Sequence, residues 1–223
     1  MPLSAVEARV LGCLIEKQRT VPDSYPLTLN ALRLACNQTS NRHPVEAYDD
    51  RTVDAALLSL KSQGLARFVH GSHGSRTTRY RHSADERWKL GEPELAVLSV
   101  LVLRGPQTVG ELRSRTERQH RFAEPGEVEA VLDELSARTP HPFVVRMERR
   151  PGQKDPRWAH LLVGDPPPDP PGTDTPVGYG AVADGSDGVA LSDRVSALED
   201  EITGLRRRLA ALEQELGVAD GPS

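Results

Sequence analysis

The sequence predicts a mainly α fold with small β-hairpins (α+β): two tandem winged helix-turn-helix domains followed by a disordered linker and a C-terminal coiled-coil helix. Three observations carry this expectation. The order helix, helix, helix, hairpin occurs twice within residues 1–164, a Pro/Gly-rich stretch follows, and a heptad of apolar residues closes the chain. The boundaries predicted are 1–88 and 89–164 for the two winged-helix domains, 165–190 for the linker, 191–217 for the coiled coil and 218–223 for a disordered tail.

The first helix starts at Ser4, which with Glu7 forms a capping box, and carries an apolar stripe of Leu3, Val6, Val10 and Leu14, with Ala5, Arg9 and Glu16 outside it. After Pro22 and Pro26, Leu27 to Gln38 has Leu29, Leu32 and Cys36 at helical spacing. Asp49 or Asp50 caps a third helix that runs to Gly64 with Val53, Leu57 and Leu60 inward. Leu65 to Val69 and Arg76 to His82, around a turn at Gly71 to Ser75, form a hairpin. The order then returns. Glu94 to Leu103 is an apolar helix, Thr108 and Glu111 box the start of the next, and Pro125 opens a third with Val128, Val131, Leu132 and Leu135 inward. Phe143 to Glu148 and Arg157 to Val163 are strands joined by a turn at Pro151 and Gly152.

Residues 164–190 hold six prolines and six glycines with almost nothing to bury, which predicts a disordered tether. Beyond it Val195, Leu198, Ile202, Leu205, Leu209, Leu212 and Leu216 alternate in steps of three and four. β-branched residues at two of the a positions with Leu at d favour a parallel dimer. Charges agree: Arg194 meets Glu199, Glu201 meets Arg206 and Arg208 meets Glu213 in a parallel pair, whereas an antiparallel pair sets Glu199 against Glu213. The competing reading is an amphipathic helix that docks on a partner or on this chain. Gly204 weakens the helix by roughly 1 kcal/mol.

Composition excludes several classes. The chain has 223 residues, 37% hydrophobic, with two cysteines, Cys13 and Cys36, so no disulfide framework or four-cysteine zinc site is expected. No run approaches the ~20 apolar residues of a membrane span, and no leader pattern opens the chain. A cytoplasmic protein with no membrane partner is expected. The net charge of -4 is unevenly spread. Residues 1–90 carry 13 basic and 9 acidic side chains, 91–164 carry 11 of each, and 165–223 carry 4 and 12. The acidity belongs to the tail. Of the 28 basic residues 24 are Arg, which suits bidentate phosphate contacts or reflects genomic base composition.

Nucleic-acid contacts are sought first on the hairpins. Arg76, Arg79 and Arg81 lie on the first; Arg149, Arg150, Lys154 and Arg157 on the second. Arg on a projecting hairpin reaches phosphates, although charges on edge strands also keep a solvated hairpin from pairing. Between helices two and three of the first repeat lie Asn37, Gln38, Asn41, Arg42 and His43. Asn and Gln read adenine and Arg reads guanine, or Asn37 and Asn41 only cap and turn the backbone. The third helices argue against deep docking. Arg51 and Thr52 are the candidate readers beside Asp49, Asp50 and Asp54, and the second repeat offers Glu124, Glu127, Glu129, Asp133 and Glu134. Acids in a first turn stabilise a helix through its dipole, yet they repel a phosphate backbone. Such acidic helices suit a protein partner.

Several segments match a known family: Glu7-Ala8-Arg9-Val10-Leu11-Gly12-Cys13-Leu14-Ile15-Glu16-Lys17-Gln18, Tyr25-Pro26-Leu27, Ala35-Cys36-Asn37-Gln38, Ser40-Asn41-Arg42 with Pro44-Val45, Leu103-Arg104-Gly105, Gly110-Glu111-Leu112-Arg113-Ser114-Arg115 and Phe143-Val144-Val145-Arg146. Over about residues 3–163 the chain resembles the bacterial YceH family. The resemblance implies two tandem winged-helix domains in a cytoplasmic bacterial protein, and it brings no catalytic residue with it.

Catalysis finds little support in the residues themselves. No Walker-type loop, dinucleotide fingerprint or nucleophile elbow appears. Cys13 and Cys36 are most simply core residues, and neither Cys36 with His43 nor His70 with His73 has further ligands at metal-binding spacing. The sequence therefore predicts a non-enzymatic, DNA-associated regulator without cofactor or metal, dimeric through its last helix; a protein-interaction adaptor is the alternative.

Overall fold

The structure, a computed structural model, describes residues 2–70, 77–149 and 153–165, which all fall in one compact unit spanning Met1–Pro168. Among the described residues it is an α+β architecture of seven α-helices and two small antiparallel sheets. The heptad residues Val195 to Leu216, most of the linker, Arg76 and Arg150 lie outside the described residues.

Local signals start and stop the helices. α1, Ala5–Thr20, begins with Ser4 as predicted: Glu7 N–H donates to Ser4 Oγ at 3.2 Å and Ser4 N–H to Glu7 Oε2 at 2.6 Å. α2 is shorter than the periodicity suggests, Leu29–Cys36, because Thr28 caps it through the Ala31 N–H. Leu27–Thr28 instead form β1, paired with β3. A two-residue strand has no period for a sequence to display. α3, Asp50–Ser62, is capped by Asp49 through Thr52 N–H at 2.8 Å, and Gly64 at φ 74° turns the chain out of it. β2, Ala66–His70, and β3, Thr78–His82, form the hairpin, with Phe68 opposite Tyr80. A five-residue helix, α4, Ala84–Trp88, follows unannounced by any apolar period.

The second half repeats the plan. α5 spans Glu92–Arg104, α6 Val109–Thr116 and α7 Pro125–Ala137. Thr108 caps α6 as Thr28 caps α2, with the Glu111 carboxylate closing the box. β4, Val144–Arg146, and β5, Trp158–His160, form the second hairpin. Gln107, just ahead of α6, exchanges backbone hydrogen bonds with Trp158 at 3.0 and 2.7 Å. It thereby takes the place against β5 that β1 takes against β3.

The halves share one hydrophobic core. α1 buries Ala8 to Ile15 without interruption and α5 buries Glu94 to Leu103. A helix buried around its whole circumference must be covered on every side, and each of these two covers one face of the other. Gly12 lies where they cross: a Cβ there would fall 2.9 Å from Val102 Cγ1 and 3.2 Å from Leu103 Cδ2. Burial of Arg9, placed outside the apolar stripe in the sequence, follows from the same arrangement. Its guanidinium donates to the Cys36 and Pro44 carbonyls at 3.2 and 2.6 Å, which satisfies a charge brought into the interior.

Candidate nucleic-acid interface

The loop from Asn37 to His43 is largely consumed by structure. Arg42 is 5% exposed. It grips Glu16 through two hydrogen bonds at 2.7 and 3.1 Å, and donates to the carbonyls of Ala35 and Asn41 and to Gln38 Oε1 at 2.9, 2.8 and 2.8 Å. Arg42 thus acts as an internal clamp, its guanidinium turned to protein acceptors. Burial would push the Glu16 carboxyl up; the hydrogen bonds and charge of Arg42, with Lys17, overcome this and hold it below the usual carboxylate range. Asn37 exchanges hydrogen bonds with the Tyr48 backbone at 2.8 and 2.9 Å, so it turns the chain. Gln38 also accepts from Lys17 at 3.4 Å. Asn41, exposed and left-handed at φ 62°, accepts from Arg104 across the seam between the halves. His43 is exposed, while its backbone N–H donates to Leu103 carbonyl at 2.8 Å.

The third helix of the first half presents Arg51, Ala55, Leu58 and Ser62 to solvent at helical spacing. One cation, two apolar surfaces and a hydroxyl make a sparse reading face. On the hairpin, Arg79 donates to the Pro26 carbonyl at 2.9 Å, which fixes the side chain and leaves its charge unneutralised. Arg81 and Arg67 instead share the Glu86 carboxylate of α4. That missed helix therefore removes one of the expected phosphate contacts from free solution. In the second half Arg149 donates to the Gln153 carbonyl at 3.2 Å, and Lys154 is exposed. Glu124, Glu127, Glu129, Asp133 and Glu134 are all exposed on or just ahead of α7.

Sequence reasoning placed Arg157 on the second hairpin but missed Arg104 and the basic seam between the halves that gathers them. Arg104 ends α5 and carries no local pattern beyond the family motif; its importance depends on Asn41, Arg115 and Glu111 arriving from distant positions. Arg115 lies 3.4 Å from Glu111, and Arg157 lies 3.6 Å from the same carboxylate while donating to Pro106 carbonyl at 2.8 Å. Burial lowers the Arg104 pKa, and the like charge of Arg115 lowers it further. Among the described residues no group of three or more His, Cys, Asp or Glu is placed to hold a metal ion, and no helix is long and apolar enough to cross a membrane. Cys13 and Cys36 are buried in the core.

Fold and site together define a class: a small α+β protein of two similar helix-and-hairpin halves on one core, with cations along their seam and hairpins. The chain belongs to the family described as "Protein of unknown function, DUF480", which it matches over residues 3–153. It is 47% identical over 214 residues to a UPF0502 protein of Pelobacter propionicus, covering 96% of this chain and 94% of that one. Against the UPF0502 protein of Geobacter sulfurreducens identity is 53% over 164 residues, 74% of each. A UPF0502 protein of Serratia proteamaculans is 44% identical over 214 residues, covering 94% and 95%. The motifs behind the YceH resemblance fall inside the matched region, and the resemblance and the family agree.

Proposed function

We propose that the protein is a non-enzymatic, cytoplasmic, DNA-associated protein built from two tandem winged-helix units and paired through its C-terminal helix. The observation that carries this reading is the sheet order β1-β3-β2, in which a strand leading into α2 joins the hairpin that follows α3. Gln107 and Trp158 repeat that closure in the second half. Such a unit leaves the hairpin projecting as a wing, and Arg79 on it has no carboxylate within 4 Å among the described residues. Phosphate contact through wing cations gives affinity without sequence information, which suits a third helix with a single arginine.

The second reading is an adaptor that binds protein through its helices. It rests on the exposed carboxylates of α7 and on Leu34 and Leu58, 55% and 54% exposed. Fluorescence anisotropy on random duplex DNA across a salt series separates the two. Binding whose logarithm falls steeply with that of salt is expected, each neutralised phosphate contributing about -0.9 to the slope, and Arg79→Ala with Arg149→Ala flattens it. Absence of binding even at low salt leaves the adaptor reading. For pairing, light scattering on a chain ending at Pro176 is expected to report a monomer where the full chain is a dimer; a truncated dimer removes the heptad from the assembly.

A further inference from the structure

The seam between the halves concentrates charge that the fold leaves uncompensated. Lys17 and Arg42 stand on Glu16 at 3.2 and 2.7 Å. Arg115 and Arg157 share Glu111 at 3.4 and 3.6 Å. Arg104, between the two groups, has no carboxylate within 4 Å among the described residues, and the one partner of its guanidinium among them is the neutral amide oxygen of Asn41. With Arg42 enclosed on Glu16, three cations, Arg104, Arg115 and Arg157, face the single carboxylate of Glu111. A guanidinium carries five N–H donors, so Arg104 retains four, and Arg115 is held only by a long contact to a carboxylate that Arg157 and the Thr108 N–H also use.

Retaining a half-buried guanidinium beside a like charge is costly unless an anion completes the site. A surplus of two positive charges suits a phosphate better than a single carboxylate, and Arg presents its fork bidentately to phosphate oxygens. We infer that the seam is a phosphate-binding site in which Arg104 and Arg115 grip one phosphate group, Asn41 orients Arg104, and Arg157 adds charge from the second hairpin. Because its residues come from both halves, an occupied site ties the first half to the second. The phosphate comes either from a nucleic-acid backbone or from a free phosphorylated small molecule, and the site does not depend on Arg79 of the first wing.

The test is calorimetric titration of inorganic pyrophosphate into the full chain at low ionic strength. The expected result is one pyrophosphate per chain, with affinity at least tenfold weaker in Arg104→Gln and in Arg115→Gln and unchanged in Arg79→Gln. No binding by the unaltered chain at millimolar pyrophosphate overturns the inference. So does equal affinity in either seam variant, or an equal loss in Arg79→Gln. Circular dichroism checks folding, and should Arg104→Gln not fold, Arg115→Gln decides alone by the same tenfold criterion. Duplex DNA added to the complex distinguishes the sources: displacement of pyrophosphate assigns the site to a backbone phosphate, and persistence assigns it to a free phosphate ester. Pyrophosphate binding in a chain that ignores DNA removes the DNA reading while this site stands.

Discussion

Replacing Arg42 by Met separates an internal clamp from a base reader. The guanidinium is fully enclosed and its Glu16 partner is 15% exposed, so water screens the pair little. Removing one partner of such a pair costs about 3–5 kcal/mol when the other charge stays buried, and Lys17, 3.2 Å from Glu16, offsets part of that. The Ala35 carbonyl, on a residue 4% exposed, loses its donor as well; an orphaned buried acceptor costs about 1–3 kcal/mol by itself, and the two losses overlap. Arg42→Met is therefore expected to lower stability by about 3–5 kcal/mol, a large part of the ~5–15 kcal/mol of a typical fold. Urea denaturation followed by circular dichroism measures it. Glu16→Gln in the Arg42→Met background is expected to restore part of the loss, since the carboxylate that lost Arg42 is then neutral. Acid provides a second readout. The folded Glu16 carboxyl titrates below its unfolded value of ~4.3, so its contribution is complete above that pH and is lost as pH falls through the lower folded value. The unaltered protein should lose stability steeply in that window and Arg42→Met should not. A loss below about 1 kcal/mol accompanied by weaker DNA binding refutes the clamp and returns Arg42 to the surface.

Two further outcomes follow from the core. Burial pushes both His82 and His160 down to about 4; for His82 the nearby Asp85 opposes this shift and Arg81 and Arg19 reinforce it. Folded chains keep these rings neutral while unfolded ones take up protons near pH 6.5, so stability holds above that pH and falls as pH drops toward 4, by roughly 3 kcal/mol per histidine at most. His82→Gln, which preserves a polar group beside Gln18, should flatten the fall by about half in urea midpoints measured between pH 7 and 4; an unchanged profile contradicts the neutral ring. At the helix crossing, Gly12→Val drives a methine into the stiff Val102 side chain, and overpacking of that kind costs about 1–3 kcal/mol. A thermal midpoint equal to that of the unaltered chain would mean that α1 and α5 do not approach so closely.

The sequence by itself determined where four of the helices begin and that the helix-and-hairpin order occurs twice. Ser4 with Glu7, Thr108 with Glu111, Asp49 and Pro125 act over three or four residues, within reach of the local pattern, and each starts a helix in the structure. Tertiary structure decided what could not be local. β1 exists because β3 arrives from some fifty residues away, and α4 packs without a period of its own. The polar loop of Asn37, Gln38, Asn41 and Arg42 has the composition of a reading surface, but the partners that claim it, Glu16, Tyr48 and Arg104, come from other parts of the chain. Likewise α1 shows one apolar stripe and buries every side, because α5 supplies a second wall that no inspection of residues 5–20 reveals. A hydrogen-bonding side chain serves the outside or the inside according to what folds against it, and that is a property of the assembled core.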